Sequence, residues 1–438
     1  MSATFWTMPL TRSDFMQVKK SSKLHSNVQV LIIGAGASGM VAAISAAREG
    51  ADVTLIEHMD RVGKKILSTG NGKCNYTNEV QGLSCYRGND PAFVLPAISE
   101  FGKNETIEFF YDLGIFPKEK NGYYYPQNEQ ASSIVDVLSQ EMDRLKVKVL
   151  TSCELIQTSK EKDSFHIWTS RGEFRADSLI FACGLKALPK SGSDGSALIH
   201  IEKFGHSIIP IVPALVQLVL RDDSRKMING IRMDINVKIR SDHKILCEDR
   251  GEVQLTDYGA SGIPTFQVSR YASELLQKKR PCFLVFDYLP FLSMEELLQE
   301  LTVRFHKKDD KTISESLNGL LNKKFIPYII KKANLSTETK SVSVTRNQIE
   351  QLAHILKTQE LPITGTKDFT QAQVCAGGVR TSELIPSTME SKLVKHLFFA
   401  GEVMDIDAVC GGYNLQWAWS SGFLAGKYAV RNHIKESS

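Results

Sequence analysis

Several features that would place a protein at a glance are scarce in this sequence. Its eight cysteines include no C-x-x-C pair and no His/Cys grouping at metal-ligand spacing. That argues against a disulfide framework or a structural zinc site and predicts no metal and a reducing, cytoplasmic setting. The formal net charge is only +4, from 53 basic and 49 acidic residues spread along the chain, so no nucleic-acid partner is expected. The N-terminus lacks a charged, apolar and small-residue leader, and its Ser/Lys-rich residues 1–26 read as a flexible extension. One uncharged run, Val30 to Ala47, is long enough to suggest a membrane helix, but it contains Gly34, Gly36 and Gly39. A buried strand, a turn and a helix account for it better, so no membrane partner is expected. Internal repeats, low-complexity tracts and Pro/Gly-rich linkers are also missing.

What remains is an ordinary globular composition, 42% hydrophobic and 23% charged, over 438 residues. That exceeds the about 250–300 residues at which a single core stops growing, so two or three domains are expected.

The β-branched run Val28 to Ile33 has no helical period and leads through the glycines into Met40 to Arg48, which has helical composition. Asp52 to Glu57 is then a second strand, parallel to the first because a helix crosses over between them. Helices are predicted over Val94 to Leu113 and Ser132 to Leu145, with a hairpin-like Asn121 to Pro126 between them. Strands follow at Val147 to Leu150, Cys153 to Thr158, Phe165 to Thr169 and Ser178 to Cys183. From Pro210 to about Leu289 the texture is mostly β: Leu215 to Leu220, Ile235 to Ile239, Glu252 to Leu255 and Cys282 to Phe286, with a helix from Gln267 to Gln277. Residues 293–358 carry leucines and isoleucines at i, i+3, i+4 spacing and read as a helical subdomain. After the extended Glu360 to Val374, a strand His396 to Ala400 and a last helix Asn414 to Val430 return the chain to its first part.

The turn Gly34-Ala35-Gly36-Ala37-Ser38-Gly39 fits G-x-G-x-x-G. Its first glycine makes the tight turn, its second admits a pyrophosphate, and its third lets helix approach strand. The helix N-terminus adds a favourable dipole for an anion. Glu57 ends the next strand about 20 residues on, where its carboxylate can take ribose hydroxyls and would oppose a 2′-phosphate. FAD and NAD share this fingerprint, so the rest of the chain decides. Gly401-Glu402 after an apolar strand, then Gly411 to Gln416 opening the last helix, place backbone donors where a reduced isoalloxazine gathers negative charge. Between these ends, Gly63 to Asn78 is rich in glycine, cations and side-chain donors and could wrap a diphosphate and a flavin edge. Phe181-Ala182-Cys183-Gly184 ends another strand in a glycine, as a backbone passing close to a cofactor would.

With these motifs in view the sequence resembles the bacterial BaiN/YhiN-type flavoproteins, an aminoacetone-oxidase-like FAD family, over about Val28 to Ala429. The motifs that carry the resemblance are GAGASG at 34–39, GNGKCNYTN at 70–78, LTDYGASGIP at 255–264, CAGGV at 375–379 and GEVMDIDAVCGGYNLQWAWSSG at 401–422. Two departures are Asp257, where the family commonly has histidine, and Cys375, where threonine is usual. The resemblance implies an α/β fold, a Rossmann-like FAD-binding domain of glutathione-reductase type interrupted by a β-barrel-like domain and a small helical domain. The matching boundaries are 27–209 with 372–438, 210–292 with 359–371, and 293–358. It also implies FAD contacts at Gly34, Gly36, Ala37, Ser38, Gly39, Glu57, Lys65, Gly70, Asn71, Gly72, Asn75, Leu155, Ala182, Gly184, Gly401, Glu402, Gly412, Tyr413, Asn414 and Leu415.

The expected function is that of an FAD-dependent oxidoreductase, with NAD(P)H-linked reduction of an activated C=C bond in a small organic substrate placed ahead of amine oxidation by oxygen. A non-enzymatic flavin-binding module is the third reading. No second dinucleotide turn follows a strand, so NAD(P)H is expected as a transient reductant. Double-bond reduction needs a proton donor, and Tyr258 and Tyr413 are the candidate phenols. The sequence gives no oligomeric state.

Overall fold

The computed structural model describes residues 28–307 and 310–437. The stretch read as an N-terminal extension lies outside the described residues. A five-stranded parallel sheet organises the first core, in the order Leu397–Phe399, Ser178–Phe181, Gln29–Ile33, Asp52–Ile56 and Lys148–Leu150. Its strands are apolar on both faces, as a parallel sheet covered on both sides requires: Ile32, paired with Ile180 and Leu55, is fully buried, as are both partners. A three-stranded antiparallel meander, Leu155–Glu161, Ser164–Thr169 and Gly172–Ala176, carries the chain back to the strand at Ser178.

The crossover helix Ala37–Arg48 lies against the last helix, Tyr413–Ser437, almost backbone to backbone. A methyl group at Gly422 would stand 2.4 Å from the Ser38 carbonyl oxygen, and one at Gly426 would stand 2.2 Å from that of Ala42. Any side chain there would push the helices apart. Thus the end of the chain covers its beginning.

The second core is built round a closed barrel of six strands: Leu218–Leu220, Gly259–Ser261, Lys244–Leu255, Arg232–Ser241, Phe283–Asp287 and Gln359–Thr366. Alternation is plain in Arg232–Ser241, where Ile235, Val237 and Ile239 are buried and Asp234, Asn236 and Lys238 turn outward. The helix Ile263–Gln277 seals the barrel with Val268, Ala272 and Leu275. The helices Met294–Phe305, Ile326–Lys332 and Arg346–Thr358 feed Leu301, Ile329 and Leu352 into that same core. Two of them start in capping boxes, Ser293 with Glu296 and Thr345 with Gln348, each worth about 1 kcal/mol. An antiparallel pair, Ile208–Ala214 with Val374–Val379, leads from the sheet to the barrel and back.

Local departures from the sequence reading have physical causes. The helix expected over Val94 to Leu113 is two, Leu95–Glu100 and Lys103–Asp112, because Gly102 breaks the ladder and its N–H is taken by Glu105 at 3.0 Å. The strand expected over Leu215 to Leu220 is interrupted at Leu215, whose φ is +50°, and the Val216 N–H goes to Ser269 Oγ at 3.1 Å. The barrel helix starts at Ile263 rather than Gln267, with Pro264 in its first turn acting as the start signal. Among the described residues no helix is long and apolar enough to cross a membrane.

Candidate functional site

The carboxyl ends of the central strands open into one cavity of about 430 Å³, where ligands of open α/β sheets collect. The glycine turn forms its floor. Gly34 has φ +100°, and a Cβ there would lie 2.6 Å from the Ala182 carbonyl oxygen. A Cβ at Gly39 would lie 1.9 Å from the Gly34 carbonyl oxygen, whereas one at Gly36 would meet no atom within 4 Å. The outer glycines therefore let chain pack on chain, and the middle one leaves room that belongs to the cavity. The ladder of the crossover helix begins with Met40 N–H on the Gly36 carbonyl at 3.0 Å, so the N–H groups ahead of it are free for an anion at the positive end of the helix.

Glu57 stands on the wall at the end of the second strand. Its Oε2 accepts the Ala35 N–H at 2.8 Å and its Oε1 the Met59 N–H at 2.9 Å, which fixes the carboxylate while leaving lone pairs for hydroxyl donors. The Ser193 hydroxyl, also on the wall, is buried without a partner. Nearby, Lys65 Nζ donates to Glu402 Oε2 at 2.5 Å, and Glu402 Oε1 accepts the Cys375 N–H at 2.9 Å. This clamp ties the loop after the second strand to the residues after the last. Burial pushes the Cys375 thiol up to about 12, and the Glu402 carboxylate adds to that shift, so this cysteine is inert as a nucleophile.

The end away from Glu57 is walled by Val374, Ile406, Leu415, Trp417 and Ala418. Here the last helix begins. Its ladder starts with Gln416 N–H on the Gly412 carbonyl at 2.9 Å, and Asn414 bonds both to the N–H and to the carbonyl of Ala408, each at 2.9 Å. Asn78 Nδ2 holds the Gly411 carbonyl at 2.9 Å. Gly412 has φ +92°, and a Cβ there would lie 2.9 Å from Asn75 Oδ1, an oxygen that is buried without a partner.

Of the residues singled out in the sequence, the cavity brings together Gly34, Gly36, Ala37, Ser38, Glu57, Lys65, Leu155, Ala182, Gly184, Glu402, Asn414 and Leu415. Gly39 supports the floor from behind. Gly70, Asn71 and Gly72 are exposed off the wall, because the loop contributes Gly63 to Ile66 and Thr69 and then turns away. Gly401 lies beneath Ser38 with its N–H on Ser421 Oγ at 2.9 Å, so that donor is already used. Gly412 shapes the turn from behind the wall, next to Asn75. Neither Tyr258 nor Tyr413 lines the cavity. Tyr413 is buried edge-on to Tyr86, with burial first and its contact with Cys85 second raising its phenol well above the ordinary value. Tyr258 is half-buried beside the barrel, with the Lys367 ammonium 4.1 Å from its ring centre. The sequence reading missed the segment Ser191 to Ala197, and with it His58, Arg61, Ile406 and Trp417. A Gly/Ser/Asp cluster close behind Gly184, on the ligand side of the sheet, was the available signal.

A dinucleotide with a flat apolar head fits these groups. Two helix N-termini supply donors, Lys65 a cation, Glu57 an acceptor for ribose, and the Ser193 hydroxyl unfilled hydrogen-bonding capacity. The family model of the HI0933-like protein Rossmann domain matches residues 28–428. The chain belongs to the HI0933-like family of FAD flavoproteins. It is an FAD-dependent oxidoreductase. The 3-dehydro-bile acid delta(4,6)-reductase of Clostridium scindens is 41% identical over 401 residues, covering 91% of this chain and 98% of that protein. The ribosomal RNA dihydrouridine synthases of Haemophilus influenzae and Escherichia coli are 30% and 28% identical, each covering 90% of this chain and 96% of their own.

Proposed function

We propose that this protein uses NAD(P)H to reduce an activated C=C bond in a small organic substrate of the 3-oxo bile acid or steroid type. The observation that carries this is the 41% identity, over nearly the whole of both chains, to a reductase of 3-dehydro bile acids. FAD, when bound, supplies hydride transfer through its N5. The protein positions and excludes. Glu57 takes the ribose end, the first turn of the crossover helix neutralises phosphate charge, and the donors at Tyr413 to Leu415 face charge gathering at the other end. Gly34 to Gly39 provides the only floor of this kind found in the sequence, so the nicotinamide nucleotide visits the substrate side and leaves. Neither Tyr258 nor Tyr413 lines the cavity, and a general acid must stand within hydrogen-bond reach of the atom it protonates, so neither phenol is assigned the proton. Eight free cysteines accord with a cytoplasmic setting.

A second reading, reduction of a uridine in ribosomal RNA, draws on the 30% identical synthase. Amine oxidation by oxygen is the third. Anaerobic stopped-flow absorbance of the yellow protein against NADH, NADPH and aminoacetone separates a reductase from an oxidase. Reoxidation of the reduced enzyme by a 3-oxo-Δ4,6 bile acid, and not by ribosomal RNA, is the expected result. Bleaching by the amine alone overturns the reading.

A further inference from the structure

The loop Met404 to Gly412 shapes the end of the cavity away from Glu57, and it is held from three sides. The backbone bonds of Asp405 N–H to the Val379 carbonyl at 2.9 Å and the pairing of Asp407 with Arg87 hold two of them. The third side is the barrel helix Ile263–Gln277. There Gln267 Oε1 accepts the Cys410 N–H at 2.9 Å, and one turn on, Arg270 Nη2 lies 3.1 Å from Asp407 Oδ1 and 3.3 Å from Glu274 Oε1.

This contact is unusual in two ways. Asp407 is buried, yet its Oδ1 makes no well-aligned hydrogen bond, and the buried Arg270 Nε has no partner. The charges around Asp407 do not balance either. Arg270 and the more distant Arg87 face Asp405 and Glu274 as well as Asp407 itself. A buried carboxyl group in such surroundings sheds its charge near neutrality, and burial, with Asp405 and Glu274 adding repulsion, pushes Asp407 up to about 7 despite Arg270. Extended residues alternate in direction, so while Ile406 lines the cavity, Asp405 and Asp407 turn toward the barrel helix.

We propose that Arg270 and Asp407 are a positioning pair, through which the barrel helix sets the shape of the loop Met404 to Gly412 and so the space at the flavin-ring end of the cavity. The pair touches neither substrate nor cofactor and acts through Ile406 and the Gly411–Gly412 turn. Ionisation of Asp407 tightens its attraction to Arg270 and redraws the loop. The inference rests on the FAD reading of the cavity.

The test uses the full-length holoprotein as wild type, Asp407→Asn, Arg270→Gln and Arg270→Lys. Measured are the visible spectrum of bound FAD from pH 6 to 8.5, the FAD dissociation constant of each apoprotein, and the melting temperature as a folding control. In the wild type the flavin band is expected to titrate with a midpoint near pH 7. Asp407→Asn should abolish that titration and hold the spectrum at its low-pH form. Arg270→Gln should weaken FAD binding at least fivefold, with Arg270→Lys recovering most of the loss. Spectra independent of pH in every protein, with dissociation constants within twofold, would overturn the proposal, and that result stands on Asp407→Asn alone if Arg270→Gln does not fold. A wild-type protein that takes up no FAD would instead overturn the flavin reading.

Discussion

Replacing Gly36 by alanine separates the fold from the cofactor more sharply than any other single change. Its φ of −81° suits alanine, and the new methyl meets no protein atom within 4 Å, so neither strain nor a clash arises inside the chain. Gly36 is the N-cap of the crossover helix, and alanine there costs about 0.5–1 kcal/mol, a fall of about 1–3 °C in melting temperature. The methyl enters the space from which a pyrophosphate would reach the turn. A phosphate displaced by about 1 Å loses one or two charge-assisted hydrogen bonds, worth about 2–4 kcal/mol in total. That is about 30- to 1000-fold in the dissociation constant. Titration of apoprotein with FAD, followed by quenching of flavin fluorescence, measures it directly. A Gly36→Ala protein that binds FAD within threefold of wild type would refute the assignment of this cavity.

Gly422→Ala is expected to do the reverse, since its methyl would lie 2.4 Å from the Ser38 carbonyl oxygen. Overpacking there should cost about 2–3 kcal/mol, read as a lowered melting temperature of the apoprotein. Asp407, raised from 3.8 to about 7, binds its proton more tightly in the native state than in the unfolded one. The stability it contributes is full below about pH 4 and declines until pH 7. Apo Asp407→Asn should therefore melt above wild type at pH 8, with the difference shrinking toward pH 4; a difference that ignores pH counts against the assignment. Tyr258→Phe should leave both flavin bleaching by NADH and reoxidation by an enone unchanged, since its phenol stands off the cavity wall. A slowing of reoxidation by about 10²- to 10⁴-fold, the range for loss of a general acid, would give Tyr258 the proton-donor role after all. Burial holds the His206 imidazole below its ordinary 6.5 in spite of Glu383. Stability should thus fall as pH drops below 6.5, and His206→Gln should flatten that limb in melts from pH 5 to 7.

The parts of the site that a sequence can carry are those in which local geometry dictates residue type. Three glycines at fixed spacing meet three separate steric demands: Gly34 turns the chain at φ +100°, Gly36 leaves open space beside the cavity, and Gly39 lets the helix come close to the turn. Glu57 follows from strand length. The end of the last helix was readable because Gly411, Gly412 and Asn414 solve a helix-start problem on the spot. Proximity in sequence misled where it was taken for proximity in space. Tyr413 adjoins the wall residue Asn414, but neighbours on a helix point about 100° apart, and the ring turns to Tyr86. Gly70 to Gly72 lie within a few residues of Thr69, yet the loop has already left the wall. Ser191 to Ala197 has no period to announce it, and only the sheet, by bringing the ends of distant strands together, gives it a role. The barrel and the helices after it share one core for the same reason: Leu301 and Leu352 join the core that holds Ile235 only through long-range closure.

The overlap of the last helix on the first sets a timetable for making this protein. A ribosome finishes the barrel when Gln359–Thr366 emerges, while the sheet still lacks the strand Leu397–Phe399 and the helix from Tyr413. At about 5–20 residues per second, the apolar strands wait some seconds for the segment that covers them. The cavity does not exist before then. Cofactor cannot load onto a chain that lacks the cavity, so the half-built sheet is the species that chaperones would hold and that added cofactor could not rescue.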